Sequence, residues 1–116
     1  MNETDIKVLQ REILLGFWKV HILHHAAHAP VVGQWMLHEL SRHGYEISPG
    51  TLYPLLARME EHGWLACKSD PAGALRARKE YSLTRKGRTV LTGPKKQVEE
   101  LYREVVLGEE EEKHGS

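Results

Sequence analysis

The sequence of 116 residues contains a single cysteine, Cys67, and no long apolar segment. One cysteine can form neither an internal disulfide nor a cysteine-based zinc site, and its rarity favours a reducing compartment. No stretch approaches the ~20 consecutive apolar residues that a membrane-spanning helix needs. The N-terminus carries Glu3 and Asp5 and lacks the apolar segment of a signal peptide. We therefore expect a cytoplasmic protein with no membrane association.

The residue patterns of an enzyme active site are also missing. The sequence shows no glycine-rich loop for phosphate, no recognisable catalytic dyad of acids, and no nucleophile–base pair. The length suits one domain, because two independent cores would be hard to stabilise in so short a chain. We expect a non-enzymatic binding protein with no required cofactor.

The net charge is zero, but the 16 basic and 16 acidic residues are unevenly distributed. Residues 1–65 carry 5 basic and 7 acidic side chains. Residues 66–96 carry 9 basic and 2 acidic side chains, and residues 97–116 carry 2 basic and 7 acidic ones. The three segments therefore have net charges of −2, +7 and −5. A basic middle segment in a neutral protein predicts a face that binds a polyanion.

Apolar periodicity predicts two helices at the start of the chain. Residues 5–28 have apolar side chains at helical spacing, and Ala29-Pro30 should end this helix. Between Ile13 and Leu23 the helix is apolar nearly all round, so we expect its own core to cover one side and a partner subunit another. A second helix over residues 31–43 should end at Gly44 in a left-handed conformation.

The segment from Ser48 onward predicts a third helix and then a β-hairpin. Ser48 is typical of a helix N-cap, and the helix should run to about His62. Residues 64–69 and 76–83 have strand character, with turn residues between them. A hairpin directly after a helix-turn-helix is the order of a winged helix. The predicted fold is thus mostly α with a small β-hairpin, a winged helix-turn-helix over residues 5–83.

The C-terminal residues predict a dimerisation helix over residues 84–107. Thr84 should cap it, and its apolar residues follow a seven-residue repeat that is typical of contact between helices. We expect Gly93-Pro94 to kink or break this helix, and we expect the acidic residues 108–116 to be disordered. The residues predicted to form the dimer contact are Phe17, Trp18, Leu91, Val98, Leu101, Tyr102 and Val105.

The run HGYEISPGTLYPLLARMEEHGWL, from His43 to Leu65, resembles the recognition-helix segment of PadR-type transcriptional regulators. FWKVHILHHA and GQWMLHEL are similar to the first two helices of that family, and YSLTRKGR is similar to its strand that leaves the wing. The resemblance covers roughly residues 12–106, and SPGTLYPLL is its specific part. It implies a dimeric winged-helix repressor with a C-terminal dimerisation helix and a small-molecule or stress input. Gly93-Pro94 departs from the family, which usually continues its helix there.

The third predicted helix has a short polar end that can enter the major groove while its apolar face packs on the core. Arginines of the hairpin would contact phosphates, which position a protein without reading sequence. The competing interpretation of Arg76 and Arg78 is a solvated hairpin, but their place after a helix-turn-helix favours phosphate contact. The residues predicted to bind double-stranded DNA are Ser48, Gly50, Thr51, Tyr53, Pro54, Arg58, Lys68, Arg76 and Arg78.

Pro54 breaks a local rule, because a proline at the sixth helical position removes a backbone hydrogen bond to Gly50. Its ring either contacts a thymine methyl, or sets the angle at which the helix enters the groove, or forms a harmless kink in the first turns. The sequence leaves these alternatives open.

Four of the eight histidines lie in the first predicted helix. Their i,i+4 spacing lets two imidazoles share a metal ion, and histidines can also sense pH near neutrality. We expect them instead to line a helix-packing face, because no carboxylate or cysteine nearby completes a closed site. Tryptophans beside them can border an effector pocket between subunits, although core packing is their commoner role. The candidate effector or metal residues are His21, His24, His25, His28, Trp18 and Trp35.

The leading prediction is a sequence-specific DNA-binding regulator. It would be a repressor that binds an inverted repeat as a homodimer and is released by an unknown small-molecule effector. One alternative is a winged helix that binds another protein, which the neutral net charge leaves open. Another is a metal-responsive sensor that uses the histidines of the first helix.

Overall fold

The chain folds into helices packed around a small antiparallel sheet, in a computed structural model that describes residues 3–69 and 79–109. In chain order the elements are α1 (Glu3–His28), β1 (Val31–Val32), α2 (Gly33–Arg42), α3 (Pro49–Glu61), β2 (Leu65–Ser69), β3 (Lys79–Leu83) and α4 (Arg85–Leu101). A π-helical segment, Tyr102–Val106, continues α4. The prediction of a mostly helical winged helix-turn-helix is confirmed.

The prediction for the segment after α1 is wrong at its first two residues. A helix was expected from residue 31, whereas Val31 and Val32 form strand β1. Val31 pairs with Tyr81 and Val32 with Glu80, so β3 is the central strand in the order β1-β3-β2. β-branched residues fit a pleated strand well, and here a partner distant in sequence completes the pairing. The expected hairpin is therefore part of a three-stranded sheet.

Helices α2 and α3 both end at a glycine in the left-handed region. Gly44 has φ +92° and Gly63 has φ +82°. After α2 the amide of Gly44 donates to the Ser41 carbonyl at 2.9 Å, and the amide of Tyr45 donates to the Leu40 carbonyl at 3.0 Å. This Schellman arrangement satisfies the last carbonyls of the helix. It confirms the predicted end of the second helix.

The core lies where α1, α2 and α3 meet the sheet. Tyr81 of the central strand is buried in it, and burial, together with the neighbouring Cys67, raises the pKa of its hydroxyl to about 12. Glu39 is the one charged residue in the described chain that is also buried. The apolar side chains that are at most 2% exposed are Ile22, Leu23, Met36, Leu40, Leu52, Leu55, Leu56, Met59 and Leu65.

The start of α4 is fixed to the end of α3. Thr84 caps α4 as predicted, since its hydroxyl oxygen accepts from the Gly87 amide at 2.9 Å. The same hydroxyl donates to the Gly63 carbonyl at 2.6 Å. A Cβ on Gly87 would overlap the backbone oxygen of Trp64, so only glycine lets the two segments approach this closely.

Helix α4 is not broken at Gly93-Pro94, so the expectation of a break is wrong. The helix continues through Pro94 to Leu101. The residue before a proline is usually pushed away from helical backbone by contact between its Cβ and the proline ring. Gly93 has no Cβ, which removes part of that clash and leaves mainly the loss of one backbone hydrogen bond.

Candidate nucleic-acid interface

Helix α3 has one buried face and one exposed face. Leu52, Leu55, Leu56 and Met59 are at most 1% exposed and hold the helix against the core. The opposite face is polar and open to solvent, apart from the half-buried Thr51. The residues of α3 predicted to bind DNA all lie off the buried stripe: Ser48, Gly50, Thr51, Tyr53, Pro54 and Arg58.

The N-terminal end of α3 is open. Ser48 occupies the predicted N-cap position with extended backbone, but its side chain makes no capping hydrogen bond. Its hydroxyl instead donates to the Thr51 hydroxyl at 3.4 Å. The positive end of the helix is therefore not covered by a side-chain oxygen, which leaves it suited to an anionic group.

Tyr53 is fixed in place by a residue that sequence reasoning missed. Its ring lies across Gly33 at the start of α2, where a Cβ would come within 2.5 Å of the Tyr53 Cε1 atom. The ring nevertheless remains 40% exposed. The only signal in the sequence is a glycine at the first position of a helix, where a better helix former would be expected. This contact restricts where the Tyr53 hydroxyl can lie.

The wing is described in part. Lys68 is exposed on β2, directly opposite the acidic Glu80 of β3. Cross-strand partners share one face of a sheet, so Lys68 has a compensating charge beside it. Arg76 and Arg78, the arginines predicted to contact phosphate, lie outside the described residues.

The predicted dimer residues divide into two groups. Trp18 and Leu91 are 6% and 5% exposed, so they belong to the core of their own chain and offer little surface to a partner. The other residues are exposed. Phe17, Val98 and Leu101 line a groove of about 420 Å³ between α1 and α4. Tyr102 and Val105 lie beyond it on the exposed π-helical segment.

The histidines of α1 form a continuous row, since the rings of His24 and His25 are centred 5.1 Å apart. His21 and His25 face His43 at the end of α2, with the rings of His21 and His43 centred 5.1 Å apart. His24 and His28 lie next to each other on a more exposed part of the helix, where His28 Nδ1 is 3.0 Å from the His24 carbonyl. The row expected from the sequence is therefore present, and His43 adds a further ring at its His21 and His25 end.

A carboxylate lies beside His25 and His43, so the expectation that none is nearby is wrong. The Glu39 Oε2 atom is 3.1 Å from His43 Nε2 and 3.6 Å from His25 Nε2. Glu39 lies on α2 and His43 caps its end, so only the packing of α1 on α2 brings them close to the first helix.

The two candidate effector tryptophans lie in different surroundings. Trp18 lines a cavity of about 560 Å³ near the end of α2, and its ring meets Tyr45 edge-on at 6.2 Å. Trp35 lies on α2, is 46% exposed, and meets His25 edge-on at 5.4 Å. The predicted effector pocket between subunits stays a prediction.

The helix-turn-helix, the strand pair that follows it and the exposed face of α3 define a winged helix-turn-helix transcription regulator. The model of the Transcriptional regulator PadR-like family matches residues 22–93. The chain belongs to this family, as the resemblance of its sequence implies. It is therefore a transcription regulator and not an enzyme.

Similar proteins agree with this assignment. The chain is 48% identical over 99 residues to Transcriptional regulator Rv3488 of Mycobacterium tuberculosis (strain ATCC 25618 / H37Rv), which covers 85% of this chain and 92% of that relative. The crystal structure of a PadR family transcriptional regulator from Eggerthella lenta DSM 2243 matches with a TM-score of 0.75 and 30% identity, over 89% of this chain and 90% of that one.

A more distant structure shares the fold alone. A PadR family transcription regulator from Clostridium difficile R20291 matches with a TM-score of 0.66 at 18% identity, over 78% of this chain and 98% of that one. Within residues 3–69 and 79–109, no helix combines the length and apolar character that crossing a membrane requires.

Proposed function

We propose that this regulator binds an inverted-repeat DNA operator as a two-fold homodimer, represses transcription there, and is released by an effector. The observation that carries the proposal is the exposed polar end of α3, whose opposite face is locked into the core. A helix held in this way presents a fixed set of side chains to the major groove.

In this proposal Thr51 and Tyr53 make the central contacts. Thr51 can bond a base edge or a phosphate, and the Tyr53 hydroxyl reaches a phosphate from a ring held against Gly33. Gly50 allows the backbone to approach the DNA closely, because no side chain intervenes. The uncapped start of α3 adds backbone amides that favour a phosphate oxygen.

Dimerisation is supported by the apolar surface that α1 and α4 leave open. Ile13, Phe17, Val98 and Leu101 are between 37% and 55% exposed and lie along the two walls of the groove. A second chain packed there by two-fold symmetry would set the spacing of its two recognition helices, which must be about one helical turn of DNA.

Release by an effector follows from the same arrangement. A small apolar molecule that entered the groove between α1 and α4 would change how the two subunits pack. The two α3 helices would then move away from the spacing that the operator requires, and DNA affinity would fall.

The contact through Tyr53 is tested with the variants Tyr53→Ala and Tyr53→Phe. The DNA is a duplex that carries the operator sequence obtained by selection from a random duplex pool with the unaltered protein. A hydrogen bond to a charged group contributes about 1.5–3 kcal/mol, so both variants should lose roughly 10- to 100-fold in affinity. Tyr53→Phe keeps the ring on Gly33 and removes only the hydroxyl. Fluorescence anisotropy over a salt series measures the affinity for the operator and for a scrambled duplex.

Glu61→Ala, an exposed change at the far end of α3, is the control and should leave the affinity unchanged. Retained operator affinity in both Tyr53 variants would refute the proposed contact. If the unaltered protein bound no duplex at any salt concentration, DNA binding itself would be refuted, and a protein partner for the wing would be the better account.

A further inference from the structure

A cluster of histidines lies where α1 passes the end of α2, apart from the exposed face of α3 and from the groove between α1 and α4. His21 and His25 are one turn apart on α1, and His43 follows the last residue of α2. One ring nitrogen from each lies within 4.8 Å of the other two. Neither DNA contact nor dimerisation uses these side chains.

One nitrogen in the cluster lacks a partner. His25 Nε2 is buried and makes no hydrogen bond, since the nearest carboxylate oxygen, on Glu39, is 3.6 Å away. A buried nitrogen without a partner is unfavourable, and most native structures avoid it. A bound cation would supply the missing interaction.

Glu39 places a fixed negative charge beside the three rings. Its carboxylate accepts from Arg42 Nε at 3.1 Å and from Arg42 Nη2 at 2.8 Å. These two bonds hold the carboxylate in place beside His25 and His43. A carboxylate next to metal-bound imidazoles orients them and offsets the charge of the ion.

We propose that His21, His25 and His43 form a binding site for a divalent transition-metal ion such as Zn²⁺ or Co²⁺, with Glu39 beside it. Imidazole nitrogen suits ions of this kind. Ligands of a tetrahedral zinc ion lie about 3.4 Å apart, because each Zn–N bond is about 2.0–2.1 Å. Small side-chain rotations would bring the three nitrogens from within 4.8 Å to that separation. A water molecule would complete the coordination.

Such an ion would join α1 to the segment that leads into α3. His43 lies at the end of α2, and the recognition helix begins at Pro49. Metal binding would therefore fasten the turn of the helix-turn-helix to α1. The binding itself requires neither DNA nor a second chain, so it stands independently of the proposed operator contacts.

The test is a titration of the full-length protein, free of any polyhistidine tag and treated with chelator, with Zn²⁺ by calorimetry and with Co²⁺ by visible absorption. One ion should bind per chain, with Co²⁺ bands typical of tetrahedral coordination. His43→Gln and His21→Gln should each weaken Zn²⁺ binding by more than about 10-fold. Even residues that only hydrogen-bond to a metal ligand contribute that much to metal affinity. His43 is exposed, so His43→Gln should still fold, as circular dichroism will check.

The double variant His24→Gln/His28→Gln is the matched control, because it removes two histidines of α1 outside the cluster. It should keep full affinity for Zn²⁺. The proposal is overturned if the unaltered protein binds no ion, if His21→Gln and His43→Gln bind as well as the unaltered protein, or if only the double variant loses binding.

Discussion

Glu39 is a charged residue that is both buried and hydrogen-bonded. It is 8% exposed, on the side of α2 that faces α1, and it is bonded to Arg42 and His43. A buried carboxylate is tolerated only when its oxygens are paired, and here the guanidinium of Arg42 supplies both bonds. The stability of the chain should therefore depend on the ionisation of this side chain.

Acidification should expose that dependence. The pKa of Glu39 is about 2 in the folded chain, against an ordinary value of 4.5. Because the folded pKa is depressed, the stabilisation is complete above pH 4.5 and is lost as the pH falls towards 2. Glu39→Gln should therefore be less stable than the unaltered protein at pH 7, and the difference should shrink between pH 4.5 and 2. Urea unfolding at several pH values, with chelator present, measures it.

The control for this comparison is Glu46→Gln, an exposed residue in the turn before α3. It should unfold like the unaltered protein across the same pH range. A Glu39→Gln difference that stayed constant from pH 7 to pH 3 would contradict the account, because it would show that ionisation of Glu39 is not what stabilises the fold.

At the residue scale the sequence could place side chains on helix faces but could not find their partners. The i,i+4 spacing correctly put His21 and His25 on one face of α1. It gave no hint of His43 or Glu39, because these belong to another helix and meet His25 only through packing. The contact between Tyr53 and Gly33 was missed for the same reason.

The elements at the junction of α3 and α4 depend on close backbone approach. Thr84 bonds the Gly63 carbonyl and the Gly87 amide, so one side chain ties the end of one helix to the start of another. Gly87 lies so close to Trp64 that no side chain fits between them. This junction ties the sheet and α4 to the end of α3.

Gly87→Ala should destabilise the chain, because its Cβ would meet the backbone oxygen of Trp64, which cannot move aside as a flexible side chain can. Overpacking of this kind costs roughly 1–3 kcal/mol. Gly50→Ala is the matched control: its Cβ would lie 3.7 Å from the Ser48 Oγ atom, an ordinary contact. Since alanine favours a helix, that variant should be as stable as the unaltered protein or up to ~1 kcal/mol more stable.

Denaturant unfolding of both variants makes this comparison. Equal stability of Gly87→Ala and Gly50→Ala would mean that the approach of α4 to Trp64 is looser than the structure indicates, and that the junction does not constrain the wing.

At the element scale, predictions from the sequence were most reliable for helix ends, because these are set by neighbouring residues. Gly44 ended α2 as predicted, and Thr84 capped α4, because turn and cap residues act on their immediate neighbours. Strand β1 was missed because its pairing with Tyr81 is a long-range interaction. The break at Gly93-Pro94 was wrongly predicted from the presence of the proline, because the lack of a Cβ on Gly93 helps the helix to accommodate it.

The molecule as a whole is more extended than its length requires. Its radius of gyration is 17.0 Å, with extents of 62 × 35 × 23 Å. A compact chain of this length has a radius of gyration of about 13 Å. The larger radius of gyration is explained by the ends of α1 and α4, where Leu9 and Leu101 are more than half exposed. Apolar arms of this kind need a partner to cover them.

Leu101→Glu should convert the proposed dimer to a monomer. Leu101 is 55% exposed in one chain, so the change leaves the core intact, but it would bury a charge between subunits. The dimer dissociation constant should rise by more than about 10-fold, as for other central interface residues. Sedimentation velocity over a concentration series measures it.

Lys96→Glu is the matched control for Leu101→Glu. It places the same new side chain on the same helix, but on the face opposite the seven-residue repeat. It should leave the dimer unchanged. A Leu101→Glu variant that sedimented as the unaltered protein does would rule out α4 as the dimer contact.

The most direct test of the central claim is selection from a random duplex pool with the full-length protein at near-physiological salt. A two-fold dimer that reads DNA with α3 should enrich an inverted repeat whose half-sites lie about one helical turn apart. Enrichment of a single unrepeated site would contradict binding as a two-fold dimer. No enrichment, with or without added Zn²⁺, would contradict the claim that the exposed end of α3 reads DNA sequence.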